Sequence, residues 1–208
     1  MTHESPEQPK TFGYLSAVES PENGYFGGYL IVSSLGRPLE FHCTAPVRPS
    51  RAQEILYGPT LRSYLVGEQI GGALVGAAKL KPRLILTDQA DAIGASLPDG
   101  VPIVLVLTAD QPSRDDTLAA STFDGAASSP QFKAAKVSPQ LPCFPFTACN
   151  HELLLPRWYD SDRETVVAML ALLAERVDLS EPFGRIHTAI REAQRIGGRG
   201  AEPHGQAA

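Results

Sequence analysis

Apolar and polar residues alternate over TFGYLSAVE (Thr11 to Glu19). That period sends successive side chains to opposite sides of a pleated backbone and predicts a half-buried strand, and YFGGYLIVSS and LEFHCTAPV read as a second and a third strand. The connections SPENG and LGRP are rich in turn formers. They are too short for a crossover, which makes the strands antiparallel neighbours in a meander. Gly24, Gly27 and Gly28 near the start of the second strand point to a bulge or to close approach of another segment.

The period then lengthens. Ser50 with Gln53 matches a capping box and predicts a short helix over Arg51 to Tyr57, which Gly58-Pro59 stops or kinks. A second helix restarts near Thr60, with Leu61, Leu65, Ile70, Ala73, Leu74 and Ala77 at helical spacing and therefore facing the core. Its glycines each cost the helix about 1 kcal/mol, a cost that close packing of small residues offsets. RLILT and PIVLVLT are nearly unbroken apolar runs, as expected of a parallel pair buried on both sides. Between them lie a predicted short helix, Gln89 to Ser96, and the turn LPDG. Asp110 to Pro142 has no period and reads as a long surface loop.

Two amphipathic helices follow. One covers Ser161 to Val177, with Ser161 and Glu164 as a capping box and Val166, Met169, Leu170, Leu173 and Val177 inward; the other covers Pro182 to Ile196, ended by Gly197. Trp158 and Tyr159 precede them, either stapling the helix start to the core or forming a partner-binding knob. The expected fold is α/β: a three-stranded antiparallel meander, a helix, then βαβ in one mixed sheet, and two C-terminal helices. It forms a single domain over residues 11–196, between disordered tails at 1–10 and 197–208.

Composition narrows the classes. The chain has 208 residues, 43% of them hydrophobic, and a net charge of -5, so nucleic acid and anionic membrane do not attract it as a whole. Charge is uneven, however. Arg48, Arg51, Arg62, Lys79, Lys81 and Arg83 outnumber Glu54 and Glu68 within one stretch, where nucleic acid would be contacted. The run Leu65 to Ala78 is too short to span a membrane and carries Glu68. Three cysteines behind a polar, unleader-like N-terminus imply reduced thiols and a cytoplasmic location.

Two sets of residues suggest chemistry. GGYLIVSSLGRPLEFHC, SRAQEIL and LILTDQADAI resemble short motifs of the ribonuclease H-like superfamily over roughly Phe12 to Leu107. The resemblance implies that family's strand order and a nuclease dependent on Mg²⁺ or Mn²⁺. Glu19, Glu54 and Asp88 would clamp the ions, with Asp160 or Asp162 as a fourth carboxylate. Glu19 stands where the family usually has Asp. Without such convergence, Asp88 is a helix cap, Glu54 a solvated helix residue, and Glu19 and Asp110 turn residues.

The second set is Cys143, Cys149, His151 and His42, with Cys43 beside it, which would supply a tetrahedral zinc site if they converge. Otherwise the thiols are buried side chains. His187, between apolar Ile186 and Ile190, reads as an edge or core histidine. The chain contains no phosphate-binding glycine loop, no G-x-S-x-G, no H-E-x-x-H and no dinucleotide fingerprint. The leading expectation is therefore a non-catalytic domain that binds a protein partner or assembles with itself. The nuclease and a small zinc protein are the alternatives.

Overall fold

The computed structural model describes residues 10–94, 97, 100–107 and 142–199. Strands β1 (Thr11–Ser20), β2 (Gly24–Ser33) and β3 (Pro38–Cys43) form the antiparallel meander. β4 (Leu84–Thr87) and β5 (Ile103–Leu107) lie parallel to β1. A further hairpin, β6 (Cys143–Ala148) and β7 (His151–Pro156), joins β5 antiparallel. The result is a seven-stranded mixed sheet in the order β3-β2-β1-β4-β5-β7-β6.

That last hairpin is absent from the sequence-based expectation. Its turn is Cys149-Asn150, both in left-handed conformation with φ of 54° and 65°. Two such residues make the tight reverse turn usually signalled by Asn-Gly, and Pro145 disguises the strand before it.

Alternation gives the sheet two apolar faces. Phe12, Tyr14, Leu84, Leu86, Val104, Val106, Leu153 and Leu155 pack beneath α4 (Arg163–Ala174) and α5 (Glu181–Arg199). Leu15, Tyr29, Ile31, Ile85, Ile103 and Leu105 pack on the other side, against the helical run between β3 and β4. That run opens with α1 (Arg51–Tyr57), where the Ser50–Gln53 capping box forms and Gly58 ends the helix as expected. It continues through a 3₁₀ turn (Gly58–Thr60), α2 (Leu61–Ser63), a π-helical segment (Tyr64–Gly71) and α3 (Gly72–Ala77).

The π-helical turns shift the inner face by about a residue. Gly72 N–H reaches back to Gly67 O, five residues away. The buried set is consequently Leu65, Val66, Ile70, Leu74, Val75 and Ala78, while Ala73 and Ala77 face solvent and Leu61 is half-buried.

Gly27 and Gly28 mark a close approach on both sides. A Cβ at Gly27 would collide with Ile70, and one at Gly28 would collide with Ile186. The register shift in the meander sits elsewhere, at Ile31/Val32 opposite β3.

Three helix boundaries differ from expectation. The Gln89 to Ser96 segment contains a 3₁₀ turn at Ala90–Ala92, and residues 95 and 96 lie outside the described residues. A 3₁₀ turn (Arg157–Asp162) absorbs Ser161, so α4 starts at Arg163 with Asp162 as its cap residue and without a side-chain cap bond. α5 runs through Gly197 to Arg199, because a single glycine costs only about 1 kcal/mol and does not by itself end a helix. The expected tails at 1–9 and 200–208, and the loop over 108–141, lie outside the described residues. Among the described residues no helix is long and apolar enough to cross a membrane.

Candidate functional site

Parallel strands present their C-terminal ends as the usual place for ligands, and the polar side chains of β1 and β4 gather there. The last paired residues are Leu15 and Thr87, which puts Ser16 level with Asp88 on the α4/α5 face. His187 descends onto them from α5. Its Nε2 lies 2.7 Å from Ser16 Oγ and 3.3 Å from Asp88 Oδ2. Gln89 Nε2 donates to Asp88 Oδ1 at 2.9 Å, and Gln89 N–H donates to Thr87 Oγ1 at 3.0 Å. Ser16 is fully buried and Asp88 is 6% exposed.

Serine, histidine and aspartate in contact suggest a nucleophile, but the wiring is wrong for one. A hydroxyl is activated when one ring nitrogen takes its proton while the carboxylate holds the other nitrogen. Here the hydroxyl and the carboxylate share Nε2, and the hydroxyl lies sealed in the sheet. The cluster instead satisfies the buried Ser16 and Asp88 and, through half-buried His187, fastens α5 to β1 and β4. The sequence carried a signal for it: Ser16 interrupts the apolar series Phe12, Tyr14, Val18, just as His187 interrupts Phe183, Ile186, Ile190.

On the opposite face a second cluster centres on Arg62. Its Nε donates to Asp91 Oδ2 at 2.6 Å and its Nη1 to Glu19 Oε2 at 2.7 Å, with the guanidinium 5.6 Å from the Tyr25 ring. Ser63 Oγ donates to the other Asp91 oxygen at 3.0 Å. Burial, and next the Glu19 charge, push the Tyr25 phenol above its ordinary range.

The three carboxylates proposed for a metal pair are therefore not brought together. Strand parity separates them: Glu19 falls on the π-helical face with Arg62, and Asp88 on the α4/α5 face with His187. Glu54 is bound to Arg51 at 2.9 Å on exposed α1. One ion cannot bridge both sides of a sheet. Asp160 and Asp162 sit exposed in the 3₁₀ turn before α4, and Asp110 lies outside the described residues.

The zinc set is also dispersed. His42 is on β3, at one edge of the sheet, and Cys143, Cys149 and His151 belong to the hairpin at the other. Five strand intervals separate β3 from β7, about 24 Å at ordinary spacing. Within the hairpin, Cys143 faces Pro156 whereas His151 faces Ala148 at the far end. Burial pushes the Cys143 thiol up, away from the ligating thiolate. Among the described residues no group of three or more His, Cys, Asp or Glu side chains is placed to hold a metal ion.

The basic residues also fail to form one surface. Arg48 donates to Glu22 O and Asn23 O at the β1–β2 turn, Arg51 is paired with Glu54, and Arg62 is enclosed by its acids. Lys79, Lys81 and Arg83 precede β4, at the other end of the parallel strands. Tyr159 fulfils the staple expectation, half-buried and donating its hydroxyl to Val101 O at 3.1 Å, while Trp158 stays exposed.

Among the described residues β3 is an end strand of the sheet with no strand beyond it, and α5 packs over β1 and β2. Leu35, Leu39, Phe41 and Leu80 around it are 51%, 48%, 39% and 39% exposed. Thr44 N–H bonds Gly27 O, so along β3 the inward-bonding residues are His42 and Glu40, and the backbone groups of Phe41 and Cys43 point outward. The strand itself is held firmly. Glu40 accepts from Lys79 N–H at 2.8 Å, Leu80 N–H at 2.9 Å and His42 Nε2 at 2.6 Å. Those bonds, the Lys79 amide foremost, hold its carboxyl down at about 2.

Compared with known proteins, the chain matches no family model, no curated protein and no solved structure.

Proposed function

We propose that this chain is a non-catalytic binding module of ribonuclease H-like architecture, and that it engages protein by accepting an added strand at β3. The observation that carries the reading is the open β3 edge, where outward backbone groups coincide with four exposed large apolar side chains. An edge of this kind is a template for another strand, with main-chain bonds giving affinity and alternate side chains giving selectivity. The separate, internal pairings of Glu19, Glu54 and Asp88 support a binding role over a catalytic one. The order β3-β2-β1-β4-β5 with β1, β4 and β5 parallel supports the architectural likeness, which carries no activity with it.

The test selects peptides from a displayed random library against the full chain and maps their contacts by amide NMR. Extended apolar peptides that shift the Phe41 and Cys43 amides, and that bind Leu39→Lys about tenfold more weakly, are expected. In parallel, labelled single-stranded, duplex and hybrid nucleic acids with Mn²⁺ should stay intact. Cleavage that disappears in Asp88→Asn, or peptides mapping away from β3, overturns the reading.

A further inference from the structure

The two sides of the β6–β7 hairpin are unequally covered among the described residues. On one side Phe146, Leu153 and Leu155 share a cluster with Val166 and Leu170 of α4. On the other, the register sets Cys143, Pro145 and Thr147 of β6 against Pro156, Leu154 and Glu152 of β7, level with Leu105 and Leu107 of β5. There Leu107, Cys143 and Leu154 are only half-buried, and Pro145, Thr147 and Glu152 are exposed. We infer that this second side is a docking surface for residues 108–141 of the same chain, which connect β5 to β6.

Topology chooses the side. β7 is antiparallel to both β5 and β6, so β6 runs parallel to β5. By the same reasoning through β2 and β1, β3 runs parallel to β4. The chain therefore makes three parallel crossovers, β3 to β4, β4 to β5 and β5 to β6, and all three move the same way along the sheet order. The first two pass over the side that carries the π-helical segment. Its Val66 and Ile70, and Ala92, Ile93 and Leu97 from the second connection, pack in one cluster with Ile85 and Ile103. Parallel crossovers are right-handed in about 98% of cases. Strands of one polarity crossed in one direction share a hand only on the same side of the sheet, so the third crossover belongs there as well.

The end points fix what it meets. The connection leaves β5 beyond Leu107, level with Glu152, and enters β6 at Cys143, opposite Pro156 at the other end of the hairpin. It must return along the hairpin and pass across β7, the strand between, whose middle residue on this side is Leu154. The return needs about 16 Å, five residues at about 3.3 Å each, and the segment is several times longer. It also brings apolar side chains for that surface in Leu118, Phe123, Phe132, Val137 and Leu141. The inference stands apart from the β3 reading, since it concerns the opposite half of the sheet.

A photo-cross-linking residue, p-benzoylphenylalanine, tests the side directly in the full chain. Placed at exposed Thr147, it should on illumination at high dilution capture a residue within 108–141, read by mass spectrometry of the digested monomer band. Placed at Val167, 37% exposed on α4, it should capture none. A second measurement needs no cross-linker. With Cys43→Ser and Cys149→Ser, Cys143 is the single thiol of the chain. Adding Phe123→Ser and Phe132→Ser should speed its modification by a thiol reagent about tenfold or more, with an unchanged circular dichroism spectrum. Capture confined to Thr147 together with faster Cys143 modification sustains the inference. Capture from Val167, capture from neither position, or a thiol rate indifferent to both phenylalanines overturns it.

Discussion

The sheet has two edges, and they are finished differently. At β6, Pro145 removes a backbone donor from the outer strand, and the Phe144 ring lies 4.8 Å from the Arg157 guanidinium and 5.6 Å from that of Arg163. A proline and a charged cover are standard ways of making an edge unreceptive. At β3 the only proline is the first residue, the apolar side chains are bare, and the strand is clamped from within by Glu40. Among the described residues one edge is blunted, and the other is stiffened yet carries no strand beyond it. A strand held rigid before it meets its partner loses less freedom on pairing, so the stiffening itself favours association.

The strongest way to break the contrast is to release the clamp. Glu40→Ala leaves the Lys79 and Leu80 amides and His42 without their acceptor, and should destabilise the fold by about 2 kcal/mol in urea denaturation. Its pH dependence follows from the depressed carboxyl. The folded value, about 2, lies below the ordinary 4.5, so the ionised group stabilises the fold above the unfolded value. That stability is lost as pH falls from about 4.5 toward 2. The gap between wild type and Glu40→Gln should therefore be flat above about pH 5 and close in acid. Equal gaps at pH 3 and pH 7 would dissociate the clamp from the carboxylate.

Next in size is an attempt to open the second edge. Pro145→Val restores a donor to exposed β6 while changing intrinsic stability by no more than about 0.5 kcal/mol. Light scattering should then detect species larger than those the wild-type chain forms, since each chain would carry two receptive edges. An unchanged mass would show that the arginine cover, not the proline, closes β6. Arg157→Ala sharpens that distinction with the smallest effect. Removing the nearer guanidinium from Phe144 should cost about 0.5–1 kcal/mol and raise binding of a hydrophobic dye at that edge.

How far these features could be read from the sequence depends on how locally each is encoded. β1, β2, β3, β4 and β5 were legible because alternation and unbroken apolar runs are properties of consecutive residues. The β6–β7 hairpin was not, since Cys149 and Asn150 make a tight turn without the usual glycine. The π-helical segment kept its apolar residues but altered which of them point inward, and spacing counted at 3.6 residues per turn put Ala73 and Ala77 on the wrong side. The site was less legible still. Whether Glu19 and Asp88 share a face depends on the register between β1 and β4, strands about seventy residues apart, and no local period encodes it. Likewise Ser16 and His187 meet across 171 positions. Each is visible in the sequence only as a polar residue among apolar ones, a sign that something must meet it without saying what.

The glycine pair in β2 sets the thickness of the whole molecule. Because Gly27 and Gly28 face opposite ways, each acts as an independent spacer: one fixes how near Ile70 brings its helical layer, the other how near Ile186 brings α5. The sheet thus has a waist one backbone thick beside the open edge, and the depth of the wall that β3 presents to an incoming strand is set there.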